Sequence, residues 1–327
     1  MALYNANLII RETRKAKGIT QEQLAEGICS RETIVKLEKG TRKPNWFVFR
    51  EITRRLGLEG SIAQDEISSE EEVVLYRRIM GCYNLINTQK FDDAKAEIDK
   101  IDAEKSAVWK KGVWYESLLR LKVAFYTYGI NSSLELNKYK NPALAIEYAL
   151  ECLELTRPGF DVGKISEYFL ATHEFQTIRR LAMASAATDA DAAIKIYQDL
   201  RRNAENPYFI STSDPIKTVN AEYRLVLLHL SNALSVAGRH EECLQIAEEG
   251  LARFSIGNDS PLNFMNLLSL KSAGLEGLGR IEESMEASKK GMLLHYVFDG
   301  YNDINFAASK KYHEETVGEK LDLSVPW

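Results

Sequence analysis

Two stretches of this chain repeat one another at a distance of 41 residues, Ala237-Gly238-Arg239-His240-Glu241-Glu242-Cys243 and Leu278-Gly279-Arg280-Ile281-Glu282-Glu283-Ser284. Self-similarity at such a period restricts the fold strongly. One repeat is a helix pair whose apolar side stays open until the next pair covers it. Looser copies stand at Gln89-Lys90-Phe91-Asp92-Asp93-Ala94, at Asn141-Pro142-Ala143 and at Asp189-Ala190-Asp191-Ala192. From Val73 onward apolar residues recur at helical spacing, interrupted by Gly, Asn, Asp or Pro. The pattern predicts helices at about 70–88, 91–103, 108–129, 142–156, 164–187, 190–204, 216–237, 240–255, 262–279, 281–297 and 300–316, falling into antiparallel pairs.

The first sixty residues differ in charge from the rest. They hold 12 Lys/Arg against 7 Asp/Glu, a balance of +5, whereas the remainder stands at −10 within a total of −5. A basic head on an acidic body suits a head that meets phosphates and a body that does not. The 327 residues leave room for two or three ordinary domains, or for one small domain and a solenoid, and 45% apolar with 27% charged residues is a soluble globular composition. Cys29, Cys82, Cys152 and Cys243 are scattered, without a C-x-x-C pair, and read as reduced core thiols. No stretch approaches the roughly 18 apolar residues that span a bilayer, and the N-terminus does not read as a signal peptide, so the expected location is the cytoplasm.

Within the head, Thr20-Gln21-Glu22-Gln23 reads as a capped helix start, with Leu24 and Ala25 on a buried face. Gly27 permits a reversal, Ser30 caps a second helix carrying Ile34 and Leu37, and Gly40 with Pro44 ends it. Two short helices joined in this way form a helix-turn-helix, whose second helix can enter a major groove. A helix within Met1–Gly18, anchored by Leu8, Ile9 and Ile10, precedes the unit, and one from Asn45 through Trp46, Phe47, Phe49, Ile52 and Leu56 follows it. From about Ile10 to Leu58 the chain resembles the Xre/phage-repressor class of DNA-binding domains. Arg14, Gly18, Thr20-Gln21, Leu24-Ala25, Ser30, Ile34, Glu38, Gly40 and Pro44 stand in the expected places, while Val35 stands where that class often has a polar residue. The resemblance implies a structural ion pair between Arg14 and Glu38. On the second helix Arg31, Glu32, Thr33 and Lys36 face base edges: Arg31 and Lys36 as donors to guanine, Glu32 as acceptor from cytosine or as an acid near the helix start, Thr33 toward a thymine methyl or a phosphate. Gln21, Lys39, Arg42 and Lys43 are expected to hold phosphates.

The turn pattern of the body resembles the tetratricopeptide (TPR) signature, at a spacing longer and less regular than the roughly 34 residues of that repeat. TPR pairs stack into a right-handed superhelix with a concave inner surface. The expected fold is therefore all-α, an N-terminal helix-turn-helix domain (1–60), a linker (61–72) and a TPR-like right-handed α-solenoid (73–320) for ligand binding and dimerisation. Registering the repeat on Gly238 and Gly279 turns Leu225, Leu228, Asn232 and Ser235, and Asn266, Ser269, Ala273 and Glu276, toward the hollow. An Asn amide there can both accept from and donate to an extended peptide backbone. Arg180, with Arg179 and Glu174, is a further candidate for reading ligand charge.

Head and body together resemble the peptide-responsive RRNPP regulators. That resemblance implies a cytoplasmic homodimer on a palindromic duplex operator, with a short linear signalling peptide as ligand; a DNA-tethered adaptor for a protein partner is the alternative. The histidines His173, His229, His240, His295 and His313 form no metal spacing, and the sequence carries no phosphate loop or nucleophile elbow. No catalytic residue, metal, cofactor or membrane contact is expected.

Overall fold

The computed structural model describes residues 3–41, 46–57, 70–104, 113–130, 137–168, 170–205, 215–253, 260–299 and five positions between 307 and 315. Among the described residues the regular structure is helical throughout, and no helix is long and apolar enough to cross a membrane. The chain falls into two units, Met1–Val219 and Asn220–Trp327. The predicted linker 61–72 and terminal helix 300–316 lie largely outside the described residues.

The first unit opens with α1 (Leu3–Ala16), α2 (Gln21–Ala25), α3 (Arg31–Glu38) and α4 (Trp46–Arg55). Ile10, Leu24, Ile34, Leu37, Ile52 and Leu56 are buried and close the small core of the head. It continues with α5 (Glu70–Asn87), α6 (Phe91–Ala103), α7 (Val113–Thr127), α8 (Pro142–Thr156), α9 (Thr172–Ser185) and α10 (Ala190–Glu205), in which consecutive helices pack on one another. One core joins Ile79, Cys82 and Ile86 of α5 to Phe91 and Ile98 of α6 and to Leu118, Leu121 and Phe125 of α7. The predicted single helix 164–187 is corrected: a 3-10 helix covers Val162–Glu167, and α9 begins only at Thr172. The break is held from outside. Asn203 of α10 donates its amide to the Ile165 carbonyl at 2.9 Å and to that of Tyr168, and the Glu174 carboxylate accepts the Ala171 N–H at 2.8 Å.

The second unit carries α11 (Pro215–Val236) from Asn220 on, then α12 (His240–Ala252), α13 (Pro261–Gly277) and α14 (Ile281–Asp299). Its 41-residue period is geometric as well as textual. Gly238 and Gly279 both take positive φ, 70° and 74°. Each closes the same C-terminal motif, Arg239 N–H to Leu234 C=O and Arg280 N–H to Leu275 C=O, both 2.9 Å. Inside the pairs the buried Ser231 hydroxyl donates to the Cys243 carbonyl and Ser272 to the Ser284 carbonyl, both at 3.0 Å, again one period apart.

The looser copy at Gln89 uses the same turn without glycine. Lys90 N–H reaches Leu85 C=O at 2.8 Å, and Gln89 sits at φ 59°. A left-handed L-residue costs about 1–2 kcal/mol, which glycine avoids. Gln89→Gly is therefore expected to raise the stability of the first unit by about 1 kcal/mol, read from the urea midpoint; an unchanged or lower midpoint would contradict it.

Candidate nucleic-acid interface

The helix-turn-helix is built by its caps. Thr20 accepts the Gln23 N–H at 3.1 Å while the Gln23 side chain accepts the Thr20 N–H at 2.8 Å, and Ser30 accepts the Thr33 N–H at 3.3 Å at the start of α3. Between the two helices Gly27 takes φ 71°. Behind α3, Arg14 joins Glu38 through two bonds, Nε to Oε1 at 2.5 Å and Nη2 to Oε2 at 3.0 Å, and also donates to the Ile19 carbonyl at 2.8 Å. Burial alone would raise the Glu38 carboxyl, but the hydrogen bonds from Arg14 and Gln21 outweigh it and hold it below its ordinary value. The Glu38 hydrogen bond in turn raises the Arg14 guanidinium, against its own desolvation. Gln21, expected at a phosphate, directs its amide nitrogen inward to Glu38 at 2.9 Å.

Along α3 the expected base readers stand open to solvent. The Arg31 side chain is 62% exposed and Lys36 42%, Glu32 is exposed, and Thr33 is half-buried with its hydroxyl 3.1 Å from that of Ser30. The two cations are already partnered within the head: Arg31 Nε lies 2.7 Å from Glu22, and Lys36 Nζ 2.7 Å from Glu32 one turn away. Lys39 caps the end of α3 and is exposed. Arg42 and Lys43 lie outside the described residues, as does the side chain of Trp46.

The body candidates separate by burial. In the second unit Asn232, Asn266 and Ser269 are half-buried and Glu276 is exposed, but Leu228 is buried in the core. Leu225, Ser235 and Ala273 are half-buried too, so Leu225 with Asn266 and Asn232 with Ala273, each pair one period apart on α11 and α13, share one kind of surface. In the first unit Arg180 is half-buried and donates to Thr127 Oγ1 at 3.1 Å. Glu174 is not available to read ligand charge, being buried and committed to Arg55, Arg157 and the start of α9.

Glu174 belongs to a group that sequence reasoning missed. Where α4 packs on α9, the ionisable side chains Glu51, Arg54, Arg55, Glu116, Arg157, His173 and Glu174 are each no more than 5% exposed. Arg54 Nη1 bonds Glu116 Oε2 of α7 at 2.8 Å and Glu51 Oε1 at 3.2 Å. Arg55 reaches Glu174 at 3.6 Å and donates to the Leu24 carbonyl at 3.4 Å and to that of Glu26. Arg157 at the end of α8 bridges Glu26 and Glu174, both at 3.6 Å, and its guanidinium lies 4.6 Å from the centre of the Tyr168 ring. The turn of the head rests here as well: a Cβ on Gly27 would lie 3.4 Å from Arg157 Cα.

The two central carboxylates are driven in opposite directions. Burial raises Glu51 well above its ordinary value, and the charges of Glu116 and Glu174 push it further. Burial would raise Glu116 too, but Arg54 and Arg120 outweigh it and hold that carboxyl well below the carboxylate range. His173, 3.5 Å from Glu51, is driven well below its ordinary value by desolvation and then by Arg54. Desolvation thus favours the protonated acid at Glu51 and the neutral imidazole at His173, while the neighbouring guanidinium groups favour the ionised form of Glu116.

The Helix-turn-helix family (HTH_3) matches residues 10–61. An uncharacterized HTH-type transcriptional regulator of Methanothermobacter thermautotrophicus is 48% identical over 52 residues, 16% of this chain and 75% of that protein. Among solved structures, Bacillus thuringiensis PlcR in complex with the peptide PapR7 and DNA is similar at a TM-score of 0.51 and 15% identity, over 96% of this chain and 99% of that one. ComR from S. thermophilus in complex with DNA and its signalling peptide ComS follows at 0.45 and 12%, over 95% and 99%. The PlcR likeness extends through the helical body and concerns the fold. With its capped helix pair, its open reading helix and that share of a regulator's sequence, this chain belongs to the helix-turn-helix family of transcriptional regulators.

Proposed function

We propose that the head, residues 1–60, reads a palindromic duplex operator as one half of a homodimer. The body, residues 73–320 beyond a linker at 61–72, binds a short linear peptide that modulates DNA binding or transcription activation. The observation that carries the first part is the exposure of Arg31 and Lys36 on a helix capped at Ser30 and held from behind by Arg14–Glu38. In this reading Arg31, Glu32, Thr33 and Lys36 contact bases, and Lys39, Arg42 and Lys43 contact phosphates. Gln21 gives one amide hydrogen to Glu38 and has its second for a phosphate. Asn232, Asn266, Ser269 and Glu276 of the second unit contact the peptide, whereas Leu228 is buried and Arg180 belongs to the first unit. The half-exposed amides of Asn232 and Asn266 support this, as does a fold like that of PlcR, which was solved with peptide and DNA. A regulator of this kind works on cytoplasmic DNA and performs no catalysis.

Arg31→Ala is expected to cost about 1–3 kcal/mol on the preferred duplex and to relax choice at one base pair. Lys39→Ala should weaken all duplexes alike and lower the slope of log affinity against log salt by about 1. Fluorescence anisotropy on a duplex panel at several salt concentrations separates the two. An equal loss of preference in both variants would refute the division of roles. For the body, Asn232→Ala with Asn266→Ala should abolish the thermal shift given by peptides selected from a random short-peptide library.

A further inference from the structure

The head is held against the body at several separate places, and none of them uses its reading side chains. Arg54 and Arg55 of α4 meet Glu116 of α7 and Glu174 of α9. The α2–α3 turn meets the end of α8 through Glu26 and Gly27. Contacts to three body helices fix a rigid piece in rotation as well as position. In this docked state Arg31 and Lys36 remain open to solvent.

We propose that this buried charged seam sets the spacing of the operator half-sites, with Arg54, Arg55, Glu116 and Glu174 as positioning residues for the reading helix. The inference rests on the DNA-binding reading above. Each base pair added between half-sites moves the second by about 3.4 Å and about a tenth of a turn. Heads on loose tethers follow such a change, whereas heads locked to their bodies do not, and the gain from joining two weak contacts vanishes once both cannot engage. Burying ion pairs rather than apolar side chains suits that task, because fixing one register is the best-attested use of such groups.

The test uses full-length protein and duplexes that the wild type selects from a randomised pool, rebuilt with the spacer changed by single base pairs. The wild type is expected to lose on the order of tenfold in affinity within a few steps of its preferred spacing. Arg54→Glu, which sets a carboxylate against Glu116, should flatten that profile to within about threefold while still binding an isolated half-site. Glu116→Arg, which leaves the head untouched, should flatten it too, and the exchanged pair Arg54→Glu with Glu116→Arg should restore it. A lesion that merely unfolded the first unit would abolish half-site binding and lower the urea unfolding midpoint, whereas a positioning lesion keeps half-site binding. If the wild type selects no duplex, the DNA-binding reading falls. If it selects duplexes but tolerates every spacing alike, or if both single variants keep the steep profile, the seam does not set spacing and this inference is overturned with that reading intact.

Discussion

Glu116→Ala is expected to destabilise the first unit by about 3–5 kcal/mol, because it removes the carboxylate of the buried Arg54–Glu116 pair. Arg54 keeps Glu51, but burial disfavours the charged form of that carboxyl, which makes it the weaker counter-charge. The same logic makes the two acids of the junction respond differently to an amide. Glu116→Gln should lose a large part of the stability. Glu51→Gln should cost less than Glu116→Gln, since burial disfavours the charged form of Glu51 and glutamine copies the shape and neutrality of the protonated acid. The sign with pH follows. Because the folded value of Glu51 is raised, its contribution is complete below the ordinary value of 4.5 and declines as pH rises toward the folded one. Glu51→Gln should therefore remove a decline that the wild type shows over that range. Urea unfolding across pH measures both; equal losses from the two amide substitutions would contradict the opposite directions in which burial and the neighbouring charges drive the two acids.

Glu38→Ala is the second large effect, about 3–5 kcal/mol, and it falls on the head. The carboxylate, with its side chain 4% exposed, accepts from Arg14 twice and from Gln21 once, so alanine leaves the Arg14 guanidinium and the Gln21 amide without their acceptor in a half-buried place. Since α1 and α3 meet through this pair, losing it should also loosen the reading helix and weaken binding to every duplex. Here the folded value lies below 4.5, so the stabilisation is present above that pH and lost as pH falls through the depressed value. Wild type should thus lose head stability in acid, and Glu38→Ala should lose less over the same interval. Near-ultraviolet circular dichroism or amide exchange in α1 and α3 would report it. A variant unfolding at the wild-type midpoint would show that the pair contributes nothing net.

The readable parts of this chain were those that repeat or cap. The helix pairs follow from apolar periodicity, and α8 runs from Pro142 to Thr156 as its Asn-Pro start and apolar spacing predict. Turns at Gly238 and Gly279 follow from the only residue that enters their backbone region freely. The break between Val162–Glu167 and α9 was not readable, because it is enforced by Asn203, some 35 residues away in sequence. The junction escaped for a different reason. Glu51, Arg54 and Arg55 lie on a helix whose apolar residues already account for one packed face, and in the sequence its charges enter only the basic balance of the head. In fact α4 is buried all round from Glu51 to Arg55, with body carboxylates supplying what water would have. Its sequence signal is the aromatic run Trp46, Phe47 and Phe49 at the start of that helix.

The carboxylates beside Arg31 and Lys36 bear on how such a head would search a genome. An exposed pair of this kind is worth less than about 1 kcal/mol, so guanine can displace Glu22 or Glu32 with little resistance. On the DNA-binding reading, a step without guanine offers a single acceptor such as adenine N7 or thymine O4 in place of the paired O6 and N7, and the cation would return to its own acid. Part of the positive field is thereby muted away from target, which shortens residence on random sequence and leaves more of the protein free to find its site.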